Sequence, residues 1–110
     1  MTLNDYAKNI ANNQFIFQLR NQLNFDDMAY IKLIELLKNL KNDLRGRKAI
    51  PLELALYLYE IPYVIRNMLD HLKADNPSNK LAELTEKVEN AWIEIDDLVV
   101  SCLSINCQSD

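Results

Sequence analysis

Glycine occurs only once in this chain of 110 residues, at Gly46, and this scarcity restricts the fold more than any other feature. Sheet-rich folds need glycine in many tight turns, and loops that hold phosphate groups need several glycines close together. Apolar residues instead recur every three or four positions, the spacing of one helix face. With 49% apolar residues and the length of one domain, residues 1–110 are predicted to form a single all-α domain, a compact bundle of four or five helices.

Two helices are predicted before Gly46. The first covers residues 3–23, and Asn24 is a suitable N-cap for the second, which runs to about Arg45. Gly46 suits the left-handed conformation that often ends a helix. The end of the second helix is basic. Interaction of these cations with the negative C-terminal pole of the helix dipole is the favoured explanation, and nucleic-acid binding is the alternative. The basic residues there are Lys38, Lys41, Arg45, Arg47 and Lys48.

A third helix is predicted to begin at Pro51, which suits a first turn. Residues 52–69 are apolar on nearly every face, so this helix is expected at the centre of the bundle. Its tyrosines are then expected in the core rather than in a ligand site. Pro62 removes a backbone donor and crowds the carbonyl of Leu58, so a kink or a break is expected there. The tyrosines are Tyr57, Tyr59 and Tyr63.

The last helix is predicted to be long. Asn76 and Pro77 resemble a cap and first helical position, and the helix would run for about 28 residues, or about 42 Å. Ile93 and Val100 lie off its main apolar seam, so they are expected to contact another helix of the bundle or, preferably, a second copy of the chain. The seam is a heptad pattern of Leu81, Leu84, Val88, Ala91, Ile95, Leu98, Cys102 and Ile105.

His71, the only histidine, ends the sequence Arg66-Asn67-Met68-Leu69-Asp70-His71, which has the form RNxxxH. An arginine can neutralise a phosphate, and a histidine can move protons near neutral pH. On an ideal helix Asn67 and His71 share one face with Glu60, whereas Arg66 points away, so convergence needs a helix start, a bend or a second chain. An ordinary solvated stripe with an Arg66–Asp70 pair explains the same residues without a site.

The RNxxxH pattern resembles the signature of the HEPN superfamily of small helical bundles. In that superfamily the motif precedes one further helix, as it does here. The resemblance implies Arg66, Asn67 and His71 as catalytic residues, RNA as substrate, no cofactor or metal, and a cleft completed by a second subunit. Many such domains are RNA-cleaving toxins or defence effectors, while others are antitoxins or inactive modules.

The charge distribution and the cysteine content restrict which other functional classes the chain can belong to. Residues 1–50 carry eight basic and five acidic side chains, a net charge of +3, whereas residues 51–110 carry four and eleven, a net charge of −7. Cys102 and Cys107 fit no zinc site, and the carboxylates of Glu94, Asp96 and Asp97 are expected on a wet acidic face. Neither a membrane span nor a signal sequence is visible, so a cytoplasmic location is expected. We therefore expect a small regulatory or interaction module that binds another macromolecule, preferably a protein, with a HEPN-like ribonuclease as the alternative.

Overall fold

The computed structural model describes residues 2–47, 49–74 and 79–104. Within these ranges all regular structure is helical and no strand is present, which confirms the predicted all-α bundle with a long C-terminal helix. The five helices are α1 (Leu3–Asn12), α2 (Phe15–Gln22), α3 (Asp27–Leu44), α4 (Leu52–Ala74) and α5 (Asn79–Leu103).

The segment predicted as one helix over residues 3–23 is two helices, because Asn13 interrupts it. Asn13 has extended backbone angles, and its side-chain Oδ1 accepts a hydrogen bond from the Phe15 amide at 3.0 Å. Its Nδ2 donates to the carbonyl of Ala29 in α3 at 3.1 Å. Asparagine side chains commonly compete with the helix in this way. The interruption turns α2 so that Phe15 packs against Phe25 and Tyr30.

The third helix of the fold, α3, begins later than predicted. Its N-cap is Asp26 rather than Asn24, and the Asp26 carboxylate accepts a hydrogen bond from the Ala29 amide at 3.1 Å. Asn24 instead donates its side-chain amide to Gln18 at 2.6 Å. At the other end Gly46 has a φ of +83°, which confirms the predicted left-handed residue.

Of the kink or break predicted at Pro62, the break does not occur, because α4 runs through Pro62 as one continuous helix. The helix starts one residue after Pro51. The carbonyl of Pro51 accepts the first helical hydrogen bond, from the Ala55 amide at 3.0 Å. Leu58 and Ile65 are fully buried on either side of the proline. Tertiary packing of these turns holds the helix together where the proline has removed one hydrogen bond.

The core lies where α4 and α5 pack against each other and against α1 and α3. The predicted seam of α5 is confirmed over its described part: Leu84 is half-buried, and the deeper positions are buried. Those buried positions are Val88, Ala91, Ile95, Leu98 and Cys102. The side chains of Leu81 and Ile105, and the predicted cap at Asn76 and Pro77, lie outside the described residues.

The expectation that α4 is buried on every side is wrong. Tyr59 and Tyr63, expected in the core, are 69% and 60% exposed, and only Tyr57 is half-buried. Helices α1 and α2 pack against one side of α4 and α5 packs against the other, which leaves Tyr59 and Tyr63 exposed. Throughout the described ranges, each helix is too short or too polar to span a bilayer.

Candidate functional site

Arg66 lies on the side of α4 that faces α5. Its guanidinium is 5.0 Å from the centroid of the Trp92 ring, and its Nε is 3.5 Å from a carboxylate oxygen of Asp70. Both side chains of this ion pair are more than half exposed, so it contributes little to stability. The contact with Trp92 orients Arg66 toward the groove between α4 and α5.

Asn67 and His71 lie on the opposite flank of α4. Together with Glu60 they line an open groove of about 600 Å³ between α4 and α2, and Arg66 does not contribute to it. Because α4 continues as a regular helix through residues 66–71, the angular separation of Arg66 and His71 is preserved. The structure therefore brings two of the three motif residues together and leaves the third in the neighbouring groove.

Arg20, which the sequence did not distinguish from other surface arginines, is the cation that lines the His71 groove. It reaches the groove from the last turn of α2, whose direction depends on the interruption at Asn13. Tyr63 lines this groove as well as the groove between α4 and α5. An arginine, a histidine and an amide in one open groove can bind an anionic group.

A larger feature is the uncovered apolar face on α4 and α5, here called the α4–α5 apolar surface. On α4 its residues follow spacings of four, three and four positions, and on α5 spacings of seven and three, so each set forms one stripe. Between the stripes runs a groove of about 370 Å³, whose walls include Pro62 and Trp92. The exposed members are Leu52, Leu56, Tyr59, Tyr63, Ile93, Val100 and Leu103.

Carboxylates accompany this surface. Glu60 lines the groove on the α2 side of the α4 stripe, Asp96 lines the groove between the helices, and Asp97 is exposed on α5. None of these three carboxylates has an ion pair within the described ranges. The arginine and the lysine of α4 are already paired, Arg66 with Asp70 at 3.5 Å and Lys73 with Glu89 at 3.0 Å. Of the carboxylates predicted on a wet acidic face, Glu94 and Asp97 are exposed and Asp96 is half-buried, and Glu94 also accepts a hydrogen bond from Tyr30.

Two tyrosines of the core edge donate hydrogen bonds to carboxylates and tie distant helices together. Tyr6 of α1 donates to Asp43 of α3, and Tyr30 of α3 donates to Glu94 of α5. Burial, followed by the hydrogen bond and the charge of Asp43, raises the pKa of Tyr6 to about 12. Burial and Glu94 likewise raise the pKa of Tyr30. These contacts stabilise the neutral phenols and have a structural role.

The described residues contain neither a reactive cysteine nor a cluster of side chains that could bind a metal ion. Cys102 is buried, its Sγ lies 3.7 Å from the Leu37 carbonyl, and burial raises the pKa of its thiol to about 11. A buried thiol with a raised pKa is a poor nucleophile. No group of three or more His, Cys, Asp or Glu side chains in these ranges is placed to hold a metal ion. Cys107 lies outside the described residues.

The basic cluster at the end of α3 is exposed, and its arginines bond to their own helix. Arg47 Nε donates to the Asp43 carbonyl at 3.1 Å, and an Arg45 Nη donates to the Asn42 side chain at 3.3 Å. The Arg47 bond satisfies one of the free carbonyls of the helix C-terminus. These contacts favour the prediction that the basic residues interact with the C-terminal end of their own helix. Lys48 lies outside the described residues.

Comparisons with known proteins find no match to the chain among protein-family models, curated proteins or solved structures. The resemblance of Arg66, Asn67 and His71 to the HEPN signature therefore stays a prediction.

Proposed function

We propose that this protein is a helical interaction module that binds another protein through the α4–α5 apolar surface. The observation that carries the proposal is that seven large apolar side chains are exposed on two adjacent helices. Water-exposed apolar residues scattered singly are normal in proteins, but a contiguous stripe on neighbouring helices is typical of an interaction site.

The composition of the surface favours a protein partner over a small molecule. Tyr59, Tyr63 and Trp92 line the groove together with Arg66, and tyrosine, tryptophan and arginine are the residues most enriched at binding hot spots. Small-molecule sites are concave and enclose most of their ligand, whereas this groove is open along its length. An elongated groove between two helices is suited to an added helix.

The proposal is tested by removing the apolar side chains without disturbing the helices. A Tyr63→Gln, Val100→Gln double variant places a good helix former at both positions and removes the apolar contact. Its matched control is Met28→Gln, Ile31→Gln, which changes two exposed apolar residues of α3. Proteins that co-purify with the parent and the control, but not with the surface variant, are then purified and titrated against each in a calorimeter. Equal binding by all three forms would refute the proposal.

The predicted homodimer through Ile93 and Val100 would use part of the same surface, and it stays a prediction. Sedimentation of the parent and of the Tyr63→Gln, Val100→Gln variant across the micromolar range tests it. A dimer that the substitutions dissociate supports self-association. A parent that is monomeric throughout argues for a different protein as the partner. The cytoplasmic location also stays a prediction.

A HEPN-like, metal-independent ribonuclease is the second candidate. The observation that favours it is the open groove in which His71 and Asn67 face Arg20. His71 would exchange protons with the attacking and leaving oxygens, and an arginine would hold the phosphate. Within one chain that arginine would be Arg20, because Arg66 lies in the neighbouring groove. Arg66 would take part only if a second chain brought it to His71.

A further inference from the structure

We infer that the occupant of the α4–α5 apolar surface is an amphipathic helix whose apolar stripe is flanked by lysine or arginine residues. This inference rests on the proposed function and names the chemistry of the partner. It follows from the carboxylates around the surface, from the cations that are already paired, and from the length of the exposed stripes.

The apolar surface is bordered by acidic side chains on both long edges. Along α4, Glu60 and Glu53 are seven residues apart and share the flank that faces α2. Along α5, Asp97 lies beyond Val100 on the edge away from α4, while Asp96 stands in the groove itself. A helix laid in the groove would therefore have carboxylates on either side of it.

The described part of the chain does not neutralise these carboxylates. No described basic side chain lies within ion-pairing distance of Glu53, Glu60, Asp96 or Asp97. Arg66 pairs with Asp70 and covers Trp92, and Lys73 pairs with Glu89. Arg20 shares a groove with Glu60 without forming an ion pair. The surface thus presents negative charge that a basic partner would complement.

Charge also distinguishes a basic helix from a second copy of the chain. A two-fold dimer through this surface would bring the same face of both copies together, and with it two sets of Asp96 and Asp97. Residues 51–110 carry a net charge of −7, so the two acidic halves would repel each other. A helix with basic flanks gains attraction where a second copy meets repulsion.

The stripe on α4 sets the size of the helix. Leu52 and Tyr63 are eleven residues apart, which corresponds to about 17 Å along the helix axis. A partner helix of three to four turns would cover this length. Its apolar positions would recur at spacings of three and four residues, matching the groove between Tyr59 and Val100.

Two synthetic peptides of 15 residues, without tryptophan, test the inference. Both carry leucine at the same helical positions; one has lysine at the flanking positions and the other glutamate. Trp92 is the only tryptophan of the chain and lines the groove, so its fluorescence reports occupancy directly. We expect the lysine peptide to shift the Trp92 emission and to bind at least about tenfold more tightly than the glutamate peptide, with an affinity that falls as salt rises.

Charge-removing variants distinguish binding at this surface from non-specific attraction of a basic peptide to an acidic protein. Asp96→Asn, Asp97→Asn should weaken binding of the lysine peptide several-fold, whereas Glu35→Gln, Glu83→Gln, which removes the same charge elsewhere, should not. Equal weakening by both double variants would overturn the inference, because the attraction would then be non-specific. Helical circular dichroism of each variant verifies the fold.

The outcomes also distinguish this inference from the proposed function. Equal binding of both peptides, lost in the Tyr63→Gln, Val100→Gln variant, would overturn the basic partner and leave an apolar binding surface. Binding of neither peptide by a chain that sediments as a surface-dependent dimer would overturn it in favour of a second copy. Binding of neither peptide by a monomeric chain would also overturn it.

Discussion

The guanidinium of Arg66 lies 5.0 Å from the centroid of the Trp92 ring and thereby joins α4 to α5 on the surface of the bundle. The same contact keeps Arg66 out of the groove that His71 lines. Two residues five positions apart on one helix thus serve two different surfaces. A single chain therefore cannot bring Arg66 and His71 together in one groove.

The contact between Arg66 and Trp92 can be measured as a coupling energy. An Arg66→Ala, Trp92→Leu double-mutant cycle should give about 0.5–1 kcal/mol, as expected for an exposed cation–π contact. Urea unfolding followed by circular dichroism provides the four free energies. The same cycle with Asp70→Ala in place of Trp92→Leu should give a coupling no larger, because that ion pair is exposed. A coupling of zero between Arg66 and Trp92 would contradict the contact.

Ribonuclease activity should depend on the groove that His71 lines. If the second candidate function holds, the purified chain cleaves single-stranded RNA in the presence of a chelator, and His71→Ala abolishes cleavage. Arg20→Ala should lower the rate at least about tenfold if one chain forms the site, whereas Arg66→Ala should do so if two chains form it. Arg45→Ala, at the end of α3, is the matched control. Absence of cleavage by the parent, freed of bound partners, would exclude this function.

Substitutions at two nearby positions of α5 should differ in their cost in unfolding free energy, because one side chain is buried and the other is exposed. Leu98→Ala removes a side chain that is 8% exposed and should cost about 2–5 kcal/mol of unfolding free energy. Val100→Ala, two residues further on and 53% exposed, should change it by less than about 0.5 kcal/mol. Chemical denaturation of the isolated chain gives both values. Similar costs at the two positions would mean that the seam of α5 has been assigned to the wrong face.

Alkaline pH should reveal the hydrogen bond between Tyr6 and Asp43. The pKa of Tyr6 is raised to about 12 in the folded chain, so the unfolded chain loses the phenolic proton first as pH rises. The stabilisation is fully present below about pH 10 and is lost between pH 10 and about 12. Tyr6→Phe should therefore flatten the decline in unfolding free energy over this range. An unchanged pH dependence in Tyr6→Phe would contradict the shift.

The helices and the seam of α5 were predictable because they depend on local spacing. The interruption at Asn13 was not, since it requires the carbonyl of Ala29, sixteen residues away, as a partner. The unbroken course of α4 at Pro62 depends on buried neighbours such as Leu58 and Ile65. Spacing within one helix carries no information about such distant contacts.

The candidate surfaces show the same division. Apolar residues on every face of α4 indicate that something must cover it, but the sequence does not say that its own helices leave Tyr59 and Tyr63 uncovered. Arg20 lines the His71 groove only because of the direction of α2, and the spacing of apolar residues does not predict that direction. The angular separation of Arg66 and His71, in contrast, follows from helix geometry alone and was predicted.

Tyr63 stands between the two grooves and forms a wall of each. A protein seated on the α4–α5 apolar surface would therefore contact a side chain that also borders the groove in which His71 lies. The two surfaces share a wall, so a partner on one would be a neighbour of any ligand in the other.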